Sequence, residues 1–156
     1  MSIDDRYKKR LAELKPLIFA LQAAIELFGR DQAKRLAGAA LKKYADDRFV
    51  KPYEKTPPDE RWPVFRNNLI HNADDIEYSI EQHNDSMVKV RYKRCIFYEI
   101  FRDHGLKDFV PIYCGTDYST ATGIHPHLEF TRSQTLAEGA PYCDHCWTYK
   151  ADDQKR

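Results

Sequence analysis

The sequence predicts an α+β fold: N-terminal helices packed on an antiparallel sheet made of two hairpins, with further helices between the hairpins. Three observations lead there. Apolar residues recur at helical spacing up to Tyr44, the period shortens to two after Ile76, and a second pair of alternating segments follows Pro126. With 156 residues the chain suits one domain, taken as 1–150, followed by a frayed tail, "ADDQKR", over 151–156.

In chain order, Leu11, Leu14, Leu17, Ile18, Leu21, Ile25 and Phe28 share a helical face, and Gly29 closes the run as a residue after a helix end would. Asp31 can cap a second helix in which Ala33, Leu36, Ala37, Ala40, Leu41 and Tyr44 form one face, ending near Asp46 or Asp47. "VKPYEKTPPDERWP" carries four prolines in 14 residues and reads as an irregular connector, with a short helical turn around Trp62, Phe65, Leu69 and Ile70. Ile76, Tyr78 and Ile80 then alternate with polar residues, as do Val88, Val90 and Tyr92, and "HNDS" between them is turn chemistry, which makes a hairpin. "CIFYEIFRDHG" is a helix stopped by Gly105, and "KDFVPIYCGTDYSTA" a second one, bent or started at Pro111. "HLEFTRSQ" and "YCDHCWTYK" are the last two strands, joined by "TLAEGAP".

Composition narrows the function. The 25 basic and 24 acidic residues are mixed along the chain and give a net charge of +1, so nothing resembles the one-sided field selected by nucleic acid or an anionic membrane. The apolar run "LIFALQAAIELF" is about half a membrane span and contains Gln22 and Glu26. The expectation is a soluble cytoplasmic protein, with self-association left open and no partner beyond a small molecule. Its four cysteines then read as thiols, either chemical or buried, rather than as disulfides.

Cys95 follows the basic strand end "RYKR" and opens a helix, where unpaired backbone N–H groups favour a thiolate; the plainer reading is a small buried thiol at a strand-to-helix junction. Cys114 and Asp117, at i and i+3, would lie one helical turn apart and suit a nucleophile beside its acid/base partner, or equally a buried thiol near a capping carboxylate. In "PYCDHCWTYK" strand alternation sends Cys143 and His145 to one face and Asp144 and Cys146 to the other, which opposes both a zinc knuckle and a redox pair. His125 and His127 flank Pro126 and could bind a ligand or act as a base, or simply be solvated loop residues. The motifs of nucleotide-cofactor, serine-hydrolase and zincin chemistry are absent, and no cofactor is expected.

Four fragments stand in one order: Arg94 with Cys95, Cys114 with Asp117, then Arg132, Thr135, Leu136 and Gly139, and last Cys143 with Asp144. Over about residues 88 to 149 this resembles the L-2-amino-thiazoline-4-carboxylic acid hydrolase family, with His145 where that pattern commonly has an aromatic and Cys146 as an addition. The resemblance implies hydrolytic opening of a small thiazoline or cyclic amidine-like ring at a C–N or C–S bond. Cys114 and Asp117 would then be nucleophile and acid/base, with Cys95 and Cys143 lining the same pocket. Arg94 or Arg132 would meet a substrate carboxylate, and His125, His145 and Asp144 would help bind the ring. Two rival readings stand beside it: a zinc-dependent hydrolase using Cys and His ligands, and a non-catalytic domain that binds a small acid.

Overall fold

The computed structural model describes residues 2–71 and 76–150. The expected tail over 151–156 lies outside the described residues. Helix α1 (Ile3–Phe28) begins a full two turns earlier than the apolar face alone suggests. Ser2 closes a capping box with Asp5: its Oγ accepts from the Asp5 N–H at 3.1 Å, and the Asp5 carboxylate accepts from the Ser2 N–H at 3.3 Å. Gly29, at φ 80°, separates α1 from α2 (Arg30–Ala45), so Asp31 sits in the first turn of α2 rather than at its cap. A π turn over Asp46–Val50 and a 3₁₀ turn over Lys51–Tyr53 carry the chain on.

The proline-rich connector is a correction to the sequence reading: Pro58–His71 form a regular helix, α3. Pro58 occupies its first position, where a missing N–H is harmless, and Pro63 gives up one hydrogen bond inside it. What holds this helix is tertiary burial. Trp62 and Phe65 are almost fully covered, Phe65 meets Trp147 edge-on at 4.9 Å, and the Trp62 Nε1–H donates to the Asp85 carbonyl at 2.6 Å.

Strands β1 (Ile76–His83) and β2 (Met87–Cys95) form the predicted first hairpin. Helices α4 (Ile96–Asp103), α5 (Val110–Cys114) and α6 (Thr116–Ile124) follow, then β3 (Leu128–Thr131) and β4 (Cys143–Tyr149), which pair as the second hairpin. Gly105 ends the α4 segment at φ 72°, a conformation other residues resist. The expected single helix around Pro111 is instead a 3₁₀ turn (Lys107–Phe109) followed by α5 and α6, which meet at Gly115.

All pairings are antiparallel and the sheet order is β1-β2-β4-β3. The α+β class, with N-terminal helices and a sheet of two hairpins, is therefore the fold observed. Its apolar interior falls into two clusters. Ile18, Leu21, Ala33 and Ala37 from α1 and α2 pack with Ile100, Phe101 and Phe109. The sheet face formed by Val88, Val90, Leu128, Phe130 and Trp147 is covered by α3 and by Ala121 and Ile124 of α6. Among the described residues no helix is long and apolar enough to cross a membrane.

Candidate active site

The candidate site lies where β2, β4, the α5–α6 junction and the end of β3 converge. Cys95 reaches it through an irregularity in the sheet. Glu77 pairs with Arg94 but Tyr78 pairs with Tyr92, so Lys93 is an extra residue in β2. Such a bulge reverses the alternation beyond it and turns Cys95 to the side of Tyr92. Cys95 is also the extended N-cap of α4, at φ −140° and ψ 112°. Burial pushes its thiol up to about 11, while the backbone N–H groups of Tyr98 and Phe97 pull the other way.

Cys114 ends α5, and Gly115 keeps a right-handed helical conformation at φ −65° and ψ −20°, so Asp117 in the first turn of α6 follows about one turn later. Glycine suits this junction because a Cβ there would stand 3.2 Å from the Pro111 carbonyl oxygen. Burial first, then the Asp117 charge and Cys95, push the Cys114 thiol up to about 12, with Arg132 opposing. Desolvation likewise raises the Asp117 carboxyl to about 7, although 30 % of its side chain remains exposed.

Arg132, immediately past β3, ties these groups together. Its Nη1 donates to the Cys114 carbonyl oxygen at 2.9 Å and stands 3.7 Å from Asp117 Oδ2. The guanidinium is flanked by the rings of Tyr118 and Phe130, with centroids at 5.5 and 5.8 Å.

Cys143 is buried opposite Tyr92 in the β2–β4 register. The loop before it explains the remaining motif residues. Thr135 caps the 3₁₀ turn Leu136–Glu138, Gly139 closes that turn at φ 92°, and the Leu136 N–H donates to Cys143 Sγ at 3.2 Å. Burial raises the Cys143 thiol, opposed by this N–H and by Arg132. Cys95, Cys114 and Cys143 come from three separate segments, yet each is close enough to disturb the ionisation of another.

His145 follows on the same face of β4, edge-on to Tyr92 at 4.7 Å and to Phe130 at 4.9 Å. Burial and the nearby Arg132 push its pKa down to about 3, so it is a neutral imidazole at pH 7.

Other residues singled out from the sequence are engaged elsewhere. Arg94 makes a bidentate pair with Glu99 of α4 at 2.6 and 2.9 Å. The Asp144 carboxylate accepts from the Ser133 N–H, the Ser133 hydroxyl and the Gln134 N–H at 2.9, 2.5 and 2.9 Å, so it fastens the β3–β4 loop. Burial alone would raise its pKa, but these bonds hold it below the usual carboxylate range. His125 caps the far end of α6, with Nδ1 accepting from the His127 N–H at 3.1 Å and its ring near Tyr149, away from the thiols. Cys146 faces away from Cys143 and lies 3.7 Å from the Thr148 hydroxyl. Tyr92, which reads from the sequence as an ordinary core position, is in fact a wall of the site. Its one signal was a phenol where the same strand face otherwise carries valine. Among the described residues no three His, Cys, Asp or Glu side chains are grouped to hold a metal ion.

A profile described as L-2-amino-thiazoline-4-carboxylic acid hydrolase matches residues 6–147, so it takes in the helical N-terminal half as well as the four motif fragments. No curated protein sequence matches the chain. Among solved structures, the phenol-responsive sensory domain of the transcription activator PoxR, with phenol, aligns over 88 % of this chain and 76 % of that one. Its TM-score is 0.54 at 8 % identity, a likeness of fold. A trafficking protein particle complex subunit 3 from Naegleria fowleri, covalently bound to palmitic acid, aligns over 90 % and 96 % of the two chains, with TM-score 0.49 and 9 % identity.

Proposed function

The chain belongs to the L-2-amino-thiazoline-4-carboxylic acid hydrolase family, and on that premise we propose that it hydrolyses a small thiazoline or cyclic amidine-like ring by cysteine-based chemistry. The observation that carries this reading is the meeting of Cys114, Asp117 and Arg132 in one half-buried place lined by two further thiols. A carboxyl near 7 beside a thiol near 12 is a proton acceptor waiting for a substrate, since it can take the thiol proton only as the sulfur begins to bond to carbon.

In the first step Cys114 Sγ adds to the ring carbon held between two heteroatoms, and its proton passes to the Asp117 carboxylate. The resulting carboxylic acid returns that proton to the departing ring heteroatom, which opens the ring and leaves an isothiourea-type adduct on sulfur. Water then adds to the same carbon, with Asp117 again accepting a proton, and the thiol leaves with that proton to release a carbamoyl product. Arg132 opposes the rise in the Asp117 pKa and offers a cation to a substrate carboxylate. Arg94 has no part in this scheme because Glu99 already occupies it. The free thiols support a reducing compartment, and a cytoplasmic location forms part of the proposal, checked by fractionation of the native host.

The test is turnover of 2-amino-thiazoline-4-carboxylate, followed by mass spectrometry of the product. Cys114→Ala is expected to lose on the order of 10³-fold or more in kcat, with smaller losses for Cys95→Ser and Cys143→Ser. Full turnover in all three variants would refute a thiol mechanism. The fold likeness to a sensory domain supports a second reading, a non-catalytic domain binding a small acid. A ligand-induced rise in melting temperature with no product formed would favour it.

A further inference from the structure

We propose that Tyr92 is a catalytic hydrogen-bond donor of this site, its hydroxyl meeting the negative charge that develops on the substrate as the thiol adds. The proposal rests on the ring-opening reading above. Tyr92 is placed opposite Cys143 by the β2–β4 register and beside Cys95 by the bulge at Lys93. Its ring is held between Tyr78, at 6.2 Å, and His145, at 4.7 Å. The side chain is 8 % exposed, yet among the described residues its hydroxyl makes no hydrogen bond.

The hydroxyl oxygen is not one of the sealed polar atoms that lack a partner, so it keeps contact with solvent and stays within reach of a small molecule. The groups that act on it are Asp117, Tyr78, Cys143 and Cys95, that is, the proposed acid/base carboxyl, a second phenol and the two thiols that line the site. Burial and those acidic neighbours hold the phenol well above its ordinary range, so it stays protonated and acts as a donor without transferring its proton. A fixed donor pointing where charge appears only in the adduct stabilises the transition state more than the ground state.

Tyr92→Phe removes only the hydroxyl and keeps the ring packing. With 2-amino-thiazoline-4-carboxylate as substrate, the variant is expected to lose about 10²–10³-fold in kcat, with KM unchanged and a melting temperature no lower than that of the parent. The unchanged melting temperature separates this role from a structural one, since the hydroxyl has no partner to lose. Parent-like kcat in the variant, or a loss of kcat matched by a lower melting temperature, would overturn the assignment while leaving ring opening intact. A parent protein that does not turn over the substrate would overturn both.

Discussion

Asp117→Asn tests the electrostatics of the site most directly, because it keeps the shape and removes the charge. A carboxyl at about 7 in the folded chain, against its ordinary 3.8, binds its proton more tightly folded than unfolded. Folding stability is then greatest below 3.8, falls as pH rises towards 7, and is level above that. Complete desolvation would make the difference roughly 4 kcal/mol. Because 30 % of the side chain is exposed and water screens its charge, about 1–3 kcal/mol is the better expectation. The asparagine mimics the protonated acid and leaves Arg132 in the same relation to its neighbours. At pH 8 the variant should therefore melt higher than the parent by roughly 3–9 °C, and at pH 4 the two should coincide. Thermal melts at both pH values decide it, alongside turnover, which should collapse at either pH. An equal melting difference at pH 4 and pH 8, or none at either, would show that Asp117 is not desolvated as described.

Turnover in the parent should rise with pH through about 7 as Asp117 ionises, and Arg132→Gln should move that limb to higher pH, because Arg132 holds Asp117 down. A limb unmoved in the variant would separate Arg132 from the carboxyl. Asp144→Ala, by denaturant titration at pH 7, is expected to lose about 1–3 kcal/mol for its three loop hydrogen bonds. The depressed Asp144 pKa makes that loss complete above pH 4 and progressively smaller as pH falls below it. Chelator treatment of protein purified without added metal should leave turnover unchanged; loss of turnover that zinc restores would move the chemistry from a thiol to a metal.

Much of this architecture is legible in the residues themselves. The period-two runs place Val88, Val90 and Tyr92 on one side of β2, and alternation in β4 separates Cys143 from Cys146, as the paired register bears out. Of helix α3 only a short turn around Trp62 and Phe65 is legible, not its start at Pro58 or its length, because proline rules describe local cost, whereas Trp62 and Phe65 are held by contacts with a strand that comes some 80 residues later. The position of Cys95 depends on one unpaired residue, Lys93, and nothing in "RYKRC" announces a bulge. Asp144 reads as a site carboxylate because its partners, Ser133 and Gln134, are brought to it only by the closed loop.

The strand order gives the site a place in time as well as in space. β4 is the last of the described strands to be synthesised, yet it lies inside the sheet, between β2 and β3. Until it inserts, β2 presents an open edge, and Cys143, Tyr92 and Cys95 have no common wall. During synthesis Cys143 is thus kept from Cys95 and Cys114 until β4 pairs, and a nascent chain stopped short of residue 143 lacks both the four-stranded sheet and the third thiol of the candidate site.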